Sequence, residues 1–103
     1  MGKRDEHFKD FVLDQLTDLS GLTYRAMFGG YGLYRTGAFF GIVHKGRLYF
    51  KTNEATAGRY RSMGMEPFKP NRRQTLKTYY EVPVEVIESP DDLTDWADQA
   101  AQL

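Results

Sequence analysis

Hydrophobic positions change their period along the chain. From about Asp5 to Asp18, Phe8, Phe11, Val12, Leu16 and Leu19 fall at helical spacing, and Lys9, Asp10, Asp14, Gln15 and Asp18 fill the opposite side. Asp5 and Glu6 suit the positive end of that helix, and Ser20-Gly21 stops it. From Leu22 to Lys51 the pattern becomes that of strands, with Val, Ile, Tyr and Phe crowding around Thr36-Gly37 and Lys45-Gly46. Each of those glycines stands where a short hairpin turn needs positive φ. The two turns join three strands, at roughly 22–35, 38–44 and 47–51. Gly29-Gly30 interrupts the first of them. A turn there would make two short strands; a glycine kink in one long strand is the favoured expectation.

Pairing through these turns sets Tyr34 opposite Phe39 and Val43 opposite Leu48. Strict alternation then puts Tyr34, Phe39, Val43, Leu48 and Phe50 on one face. The other face carries Tyr31, Leu33, Phe40, Ile42 and Tyr49, rimmed by Arg35, His44, Arg47 and Lys51. Both faces are apolar, whereas a small antiparallel sheet ordinarily keeps one wet. The expectation is that the chain's own helices cover one face and a partner covers the other, the alternative being helices divided between both faces with nothing exposed. Tyr31, Leu33, Phe40, Ile42 and Tyr49 are the candidate interface, for a homodimer or for docking onto another protein.

A second helix is expected from about Glu54 to Met63, capped by Thr52 or Asn53 and ended by Gly64, with Gly58 either a cost or the mark of a close helix–sheet contact. Pro67 and Pro70 bracket a short edge segment at Phe68-Lys69. Asn71-Arg72-Arg73-Gln74 turns the chain, and Leu76–Val82 returns as a strand. Ser89, Pro90 and Asp92 open a last helix whose apolar stripe is Leu93, Trp96, Ala97, Ala100 and Ala101. The sum is one α+β domain over residues 1–103, a two-layer antiparallel sheet with helices in the order α-β-β-β-α-β-β-α.

Composition narrows the classes of function. At 41% hydrophobic and 27% charged residues the balance is that of a soluble globular domain. The absence of cysteine excludes disulfides and thiolate chemistry, and no apolar run approaches the length of a membrane span, so a cytoplasmic location is expected. Formal net charge is zero, but residues 41–80 hold nine basic and two acidic side chains, and residues 81–103 hold seven acidic and none basic. Such asymmetry describes the surface field.

The chemistry-bearing residues do not assemble into a catalytic set. Gly29-Gly30-Tyr31-Gly32 lacks the lysine and hydroxyl ending of a phosphate loop and leads into a strand, so it reads as backbone packing. His7 and His44 lack metal-ligand spacing, and His44 reads as a solvated turn residue. The three serines sit at a helix end, on a helix face and at a cap. No catalytic residue, cofactor or metal is expected. Arg59, Arg61, Arg72, Arg73 and Lys77, interleaved with Tyr49, Tyr60 and Tyr79, make the alternative of nucleic-acid contact, against a solvated or partner-facing patch.

One stretch also carries a family likeness. Arg25, Met27-Phe28-Gly29-Gly30-Tyr31-Gly32-Leu33-Tyr34 and Arg47-Leu48-Tyr49-Phe50-Lys51 resemble the N-terminal domain of the TfoX/Sxy competence regulators. The likeness continues through Gly64-Met65-Glu66-Pro67-Phe68, Tyr79-Tyr80-Glu81-Val82-Pro83, Asp92-Leu93 and Trp96-Ala97. It implies the same element order in a secretion-chaperone-like architecture. It also implies a non-enzymatic part in transcriptional control of competence, acting with the cyclic-AMP receptor protein. Family regulators commonly carry a second, C-terminal domain, and this chain stops at Leu103, so a standalone relative with another regulatory role is equally expected.

Overall fold

A computed structural model describes residues 3–27 and 29–103. Helix α1 (Lys3–Gln15) is followed by strands β1 (Leu22–Met27), β2 (Gly30–Arg35), β3 (Ala38–His44) and β4 (Arg47–Lys51). Then come α2 (Glu54–Ser62), β5 (Pro67–Asn71), β6 (Gln74–Glu81), the single-turn α3 (Val84–Ile87) and α4 (Pro90–Ala101). All pairings are antiparallel, in one six-stranded sheet ordered β1-β2-β3-β4-β6-β5. This is the expected α+β domain, with helix-borne Val12, Leu16, Tyr60, Val86, Leu93 and Trp96 packed on the sheet in one core. The expected leading strand is itself a hairpin. Gly29 (φ +72°) turns the chain beside Phe28, which lies outside the described residues, and Met27 pairs with Gly30. A Cβ on Gly30 would stand 2.0 Å from the Val43 carbonyl oxygen, so only glycine lets β2 start there.

The turns at Thr36-Gly37 and Lys45-Gly46 set Tyr34 opposite Phe39 and Val43 opposite Leu48, as expected. The two faces nevertheless differ from strict alternation. Leu33 pairs with Gly41 and Tyr34 with Phe39, leaving Phe40 as an extra residue on β3. The bulge resets the alternation. Tyr31, Leu33 and Phe40 therefore join Val43, Leu48 and Phe50 beneath the helices, where the Phe40 and Phe50 rings lie 5.6 Å apart. Tyr34 and Phe39 turn to the other face with Ile42 and Tyr49.

That second face is closed by the chain's own β5–β6 hairpin. Pro67 pairs with Tyr80 and Phe68 with Leu76, so β6 runs on through several residues while β5 advances one, and the ladder bends. Phe68 is fully buried, 4.7 Å from the Tyr49 ring and 5.2 Å from that of His44. His44 is accordingly buried against an aromatic ring and not solvated. The expected single docking face does not exist: Tyr31, Leu33 and Phe40 lie under the helices, Ile42 and Tyr49 under the hairpin, and Leu33, Phe40 and Ile42 have no exposed surface.

Helix α1 is also rotated from its expected setting. Val12, Leu16 and Leu19 are buried, but Phe11 is exposed and Lys9 is not. The Lys9 ammonium sits 4.3 Å from the Tyr24 ring centroid and 5.1 Å from that of Tyr31, and pairs with Asp10 at 2.8 Å. A long side chain with an apolar stem and a cationic head suits an aromatic surface of this kind. One turn earlier, the Asp5 carboxylate accepts from the backbone N–H groups of Lys45 (3.0 Å) and Gly46 (2.7 Å), tying α1 to the β3–β4 turn.

Candidate functional site

The basic residues of the middle segment fall into separate places. Arg61 on α2 and Lys77 on β6 face each other across a groove of about 590 Å³, whose floor includes Thr52, Ala57 and Tyr80. Helix α2 begins at its rim because the Asn53 side chain caps the Thr56 N–H while the Thr56 hydroxyl accepts from the Asn53 N–H, a reciprocal capping box. The opposite wall is fixed to it by Thr52, which donates to the Thr78 carbonyl from both its N–H (2.6 Å) and its hydroxyl (2.9 Å). An Arg61 guanidinium N–H donates to the Tyr80 hydroxyl at 3.3 Å. Among the described residues neither Arg61 nor Lys77 is in an ion pair, and Glu54 is the one carboxylate lining the groove.

Arg72 and Arg73 project from the tip of the β5–β6 hairpin, both exposed. Asn71 shapes that tip: its side-chain oxygen accepts from the N–H groups of Arg73 (2.8 Å) and Gln74 (3.0 Å). Lys77 lies three residues beyond Gln74 on β6, so that strand joins the hairpin tip to the wall of the groove. Residues 67–80 contain four cations and no carboxylate. Residues 82–103, on α3 and α4, contain six carboxylates and no cation. The asymmetry thus divides between elements, the cations on the β5–β6 hairpin and the carboxylates on or beside α3 and α4.

Arg59 packs elsewhere. Its guanidinium lies 3.9 Å from the Trp96 ring centroid and donates to the Gln99 side chain at 3.0 Å, so it cements α2 to α4. Its Nε is buried without a hydrogen-bond partner, as stacking over an indole face leaves it. Tyr60 and Tyr79 are buried too, Tyr60 against Trp96 and Tyr79 against Phe39, so neither offers a ring for base stacking.

The surroundings of several titratable groups shift them. Burial raises the hydroxyls of Tyr49 and Tyr60, and raises Tyr79 to about 12 with a smaller push from neighbouring Tyr34. Hydrogen bonding to Asp10 raises Lys9, hydrogen bonding to Glu81 raises Arg47, and the Arg35 guanidinium lowers the Asp98 carboxyl. Every one of these shifts moves the group away from neutrality, opposite to what acid–base chemistry at neutral pH requires. Among the described residues no cluster of three His, Cys, Asp or Glu side chains suits a metal ion, and no helix is long and apolar enough to cross a membrane.

Two features escape the sequence pattern. The open edge of β1 is set by strand order, which no local signal encodes. The carboxylate clamp of Asp5 on the β3–β4 turn joins residues far apart in the chain, although an acidic residue at a helix start and a Lys-Gly turn are each visible singly.

A family model described as the TfoX N-terminal domain matches residues 14–103. The DNA transformation protein TfoX1 of Aliivibrio fischeri (strain ATCC 700601 / ES114) is 34% identical over 84 residues, which make up 80% of this chain and 38% of that protein. The chain thus matches well under half of that relative's length.

Proposed function

Because the chain belongs to the TfoX N-terminal domain family, we propose that it is a regulatory domain in DNA transformation that works by docking onto a partner protein and not by catalysis. The observation that carries this reading is the segregated charge. Arg61 and Lys77 line one groove, Arg72 and Arg73 stand exposed at the tip of the hairpin that supplies its wall, and residues 82–103 carry six carboxylates and no cation. Such a field orients a partner during encounter and discriminates against wrong ones. These cations suit an acidic surface on a transcription regulator, and the α2/β6 groove suits a carboxylate side chain reaching from that surface.

The test is complementation. In a strain lacking this gene, the wild-type chain restores transformation frequency, while Arg61→Glu/Lys77→Glu, shown folded by circular dichroism, does not. Full restoration by the charge-reversed chain would remove the docking reading.

The exposed Arg72-Arg73 tip of a two-stranded ribbon also favours a second reading, contact with duplex DNA, whose major groove admits such a ribbon. A salt titration distinguishes it. Phosphate contact predicts an affinity that falls steeply with salt and a shallower slope in Arg72→Glu/Arg73→Glu. No binding at low salt would eliminate it.

A further inference from the structure

The sheet has two edges, and they are not equivalent. At one edge β5 carries Pro67, Lys69 and Pro70; two of its five residues lack an N–H, and its pairing is irregular. Prolines, a lysine and bulges are the devices that keep an edge from accepting another strand. At the other edge β1 has no proline, lysine or bulge, and Arg25 is its one charged residue. Its register with β2 is regular from Leu22 to Met27, and Thr23, Tyr24, Arg25 and Ala26 are all exposed. Its backbone is a template for one more strand.

The geometry of that template can be worked out residue by residue. The Thr36 N–H donates to the Gly21 carbonyl at 2.8 Å, so odd-numbered residues on this side of the hairpin bond inward to β2. Alternation then leaves the N–H and C=O groups of Leu22, Tyr24 and Ala26 pointing outward. Their side chains lie on the helix side, where Tyr24 meets Tyr31 edge-on at 5.8 Å and the Lys9 ammonium.

We propose that β1 pairs antiparallel with β1 of a second copy, about a twofold axis at Tyr24, to make one continuous sheet. An axis perpendicular to the sheet keeps the helices of both copies on one side, so even-numbered residues face even-numbered ones. Centred on Tyr24, the register sets Leu22 against Ala26 of the second copy and Tyr24 against its own counterpart. Every outward N–H then meets an outward C=O. On the reverse side Arg25 falls opposite the neutral Thr23 of the second copy. Moving the centre to Arg25 would place two guanidiniums directly opposite, which is unfavourable. Moving it to Thr23 would leave Ala26 unpaired. A formal net charge of zero adds no repulsion between the copies. The inference is independent of the regulatory reading, since it concerns solution mass alone.

Light scattering over a concentration series tests it. The wild type is expected to move from 11.9 kDa toward twice that mass as concentration rises. Ala26→Pro removes only an outward N–H, so it is expected to fold and to stay at the monomer mass. The chain has no cysteine, so single introduced thiols report the register. Tyr24→Cys is expected to oxidise to a covalent dimer, because a bonded antiparallel pair lies about 5.5 Å apart at Cα, within disulfide reach. Ala26→Cys, opposite Leu22, is expected not to. A wild type that remains monomeric at millimolar concentration overturns the proposal, as does equal crosslinking at both positions. A monomer that instead binds an unrelated strand peptide at β1 would assign the edge to another protein, and also overturns it.

Discussion

Phe68 holds the second face of the sheet shut, and its removal has a calculable effect. The side chain is completely buried and lies against Tyr49 and His44. Truncating a buried phenylalanine to alanine costs about 3–5 kcal/mol, of which an aromatic contact such as that with Tyr49 accounts for roughly 0.5–1.5 kcal/mol. β5 is an edge strand and can relax inward, which places Phe68→Ala near the lower end of that range, at about 3 kcal/mol. For a domain of this size each kcal/mol lowers Tm by roughly 4–8 °C, so a fall of about 12–24 °C is expected by calorimetry. The variant should also bind a hydrophobic dye in its native baseline, because Ile42 and Tyr49 lose their cover. Phe68→Leu keeps most of the volume and should lose under about 1.5 kcal/mol. A loss below about 1 kcal/mol for Phe68→Ala, with no added dye binding, would refute the argument that the hairpin roofs this face.

Other consequences can be measured separately. Gly58 lies mid-helix, and a Cβ added to it would meet nothing within 4 Å, so Gly58→Ala should stabilise by about 1 kcal/mol in denaturant unfolding; a loss would mean a hidden close contact. The Asp98 carboxyl is lowered by its hydrogen bond from Arg35, so its contribution is present above the ordinary carboxylate range and is lost as pH falls through the folded value. Asp98→Asn should therefore flatten the acid limb of the stability profile, an effect that salt diminishes, and an unchanged acid limb would argue against the pair. Tyr79, raised from 10.0 to about 12, favours the folded state fully below pH 10, and this contribution is lost as pH rises through 12. Tyr79→Phe should remove that part of the alkaline loss, read from unfolding midpoints across the window.

Local rules account well for the local features. Both tight turns form where glycine permits them, with Thr36 (φ 49°) and Lys45 (φ 51°) also left-handed, and Ser89 caps α4 ahead of the buried Leu93, Trp96 and Ala97. The failures are all matters of how distant segments meet. Nothing in the Phe39-Phe40-Gly41 sequence says which residue bulges; the pairing with Leu33 and Tyr34 decides it, and it sends Tyr34 and Phe39 to one face and Tyr31, Leu33 and Phe40 to the other. The apolar second face invites a partner only while Phe68 reads as part of a minor edge piece; in the fold Phe68 covers that face. Lys9 reads as solvated because its charge outweighs its stem, and the aromatic pair it touches comes from two other strands. In the basic patch, Arg59 goes to Trp96 for the same reason, while Arg61 and Lys77 meet as neighbours across one groove.

The proposed docking runs through the field of the basic side chains on α2 and the β5–β6 hairpin. A graded series at Arg72 and Arg73 tests this most directly, scored by transformation frequency in the deletion strain at matched protein levels. Electrostatic docking predicts near wild-type output for the double lysine variant, intermediate output for double glutamine and the least for double glutamate. Equal output across the series would contradict it.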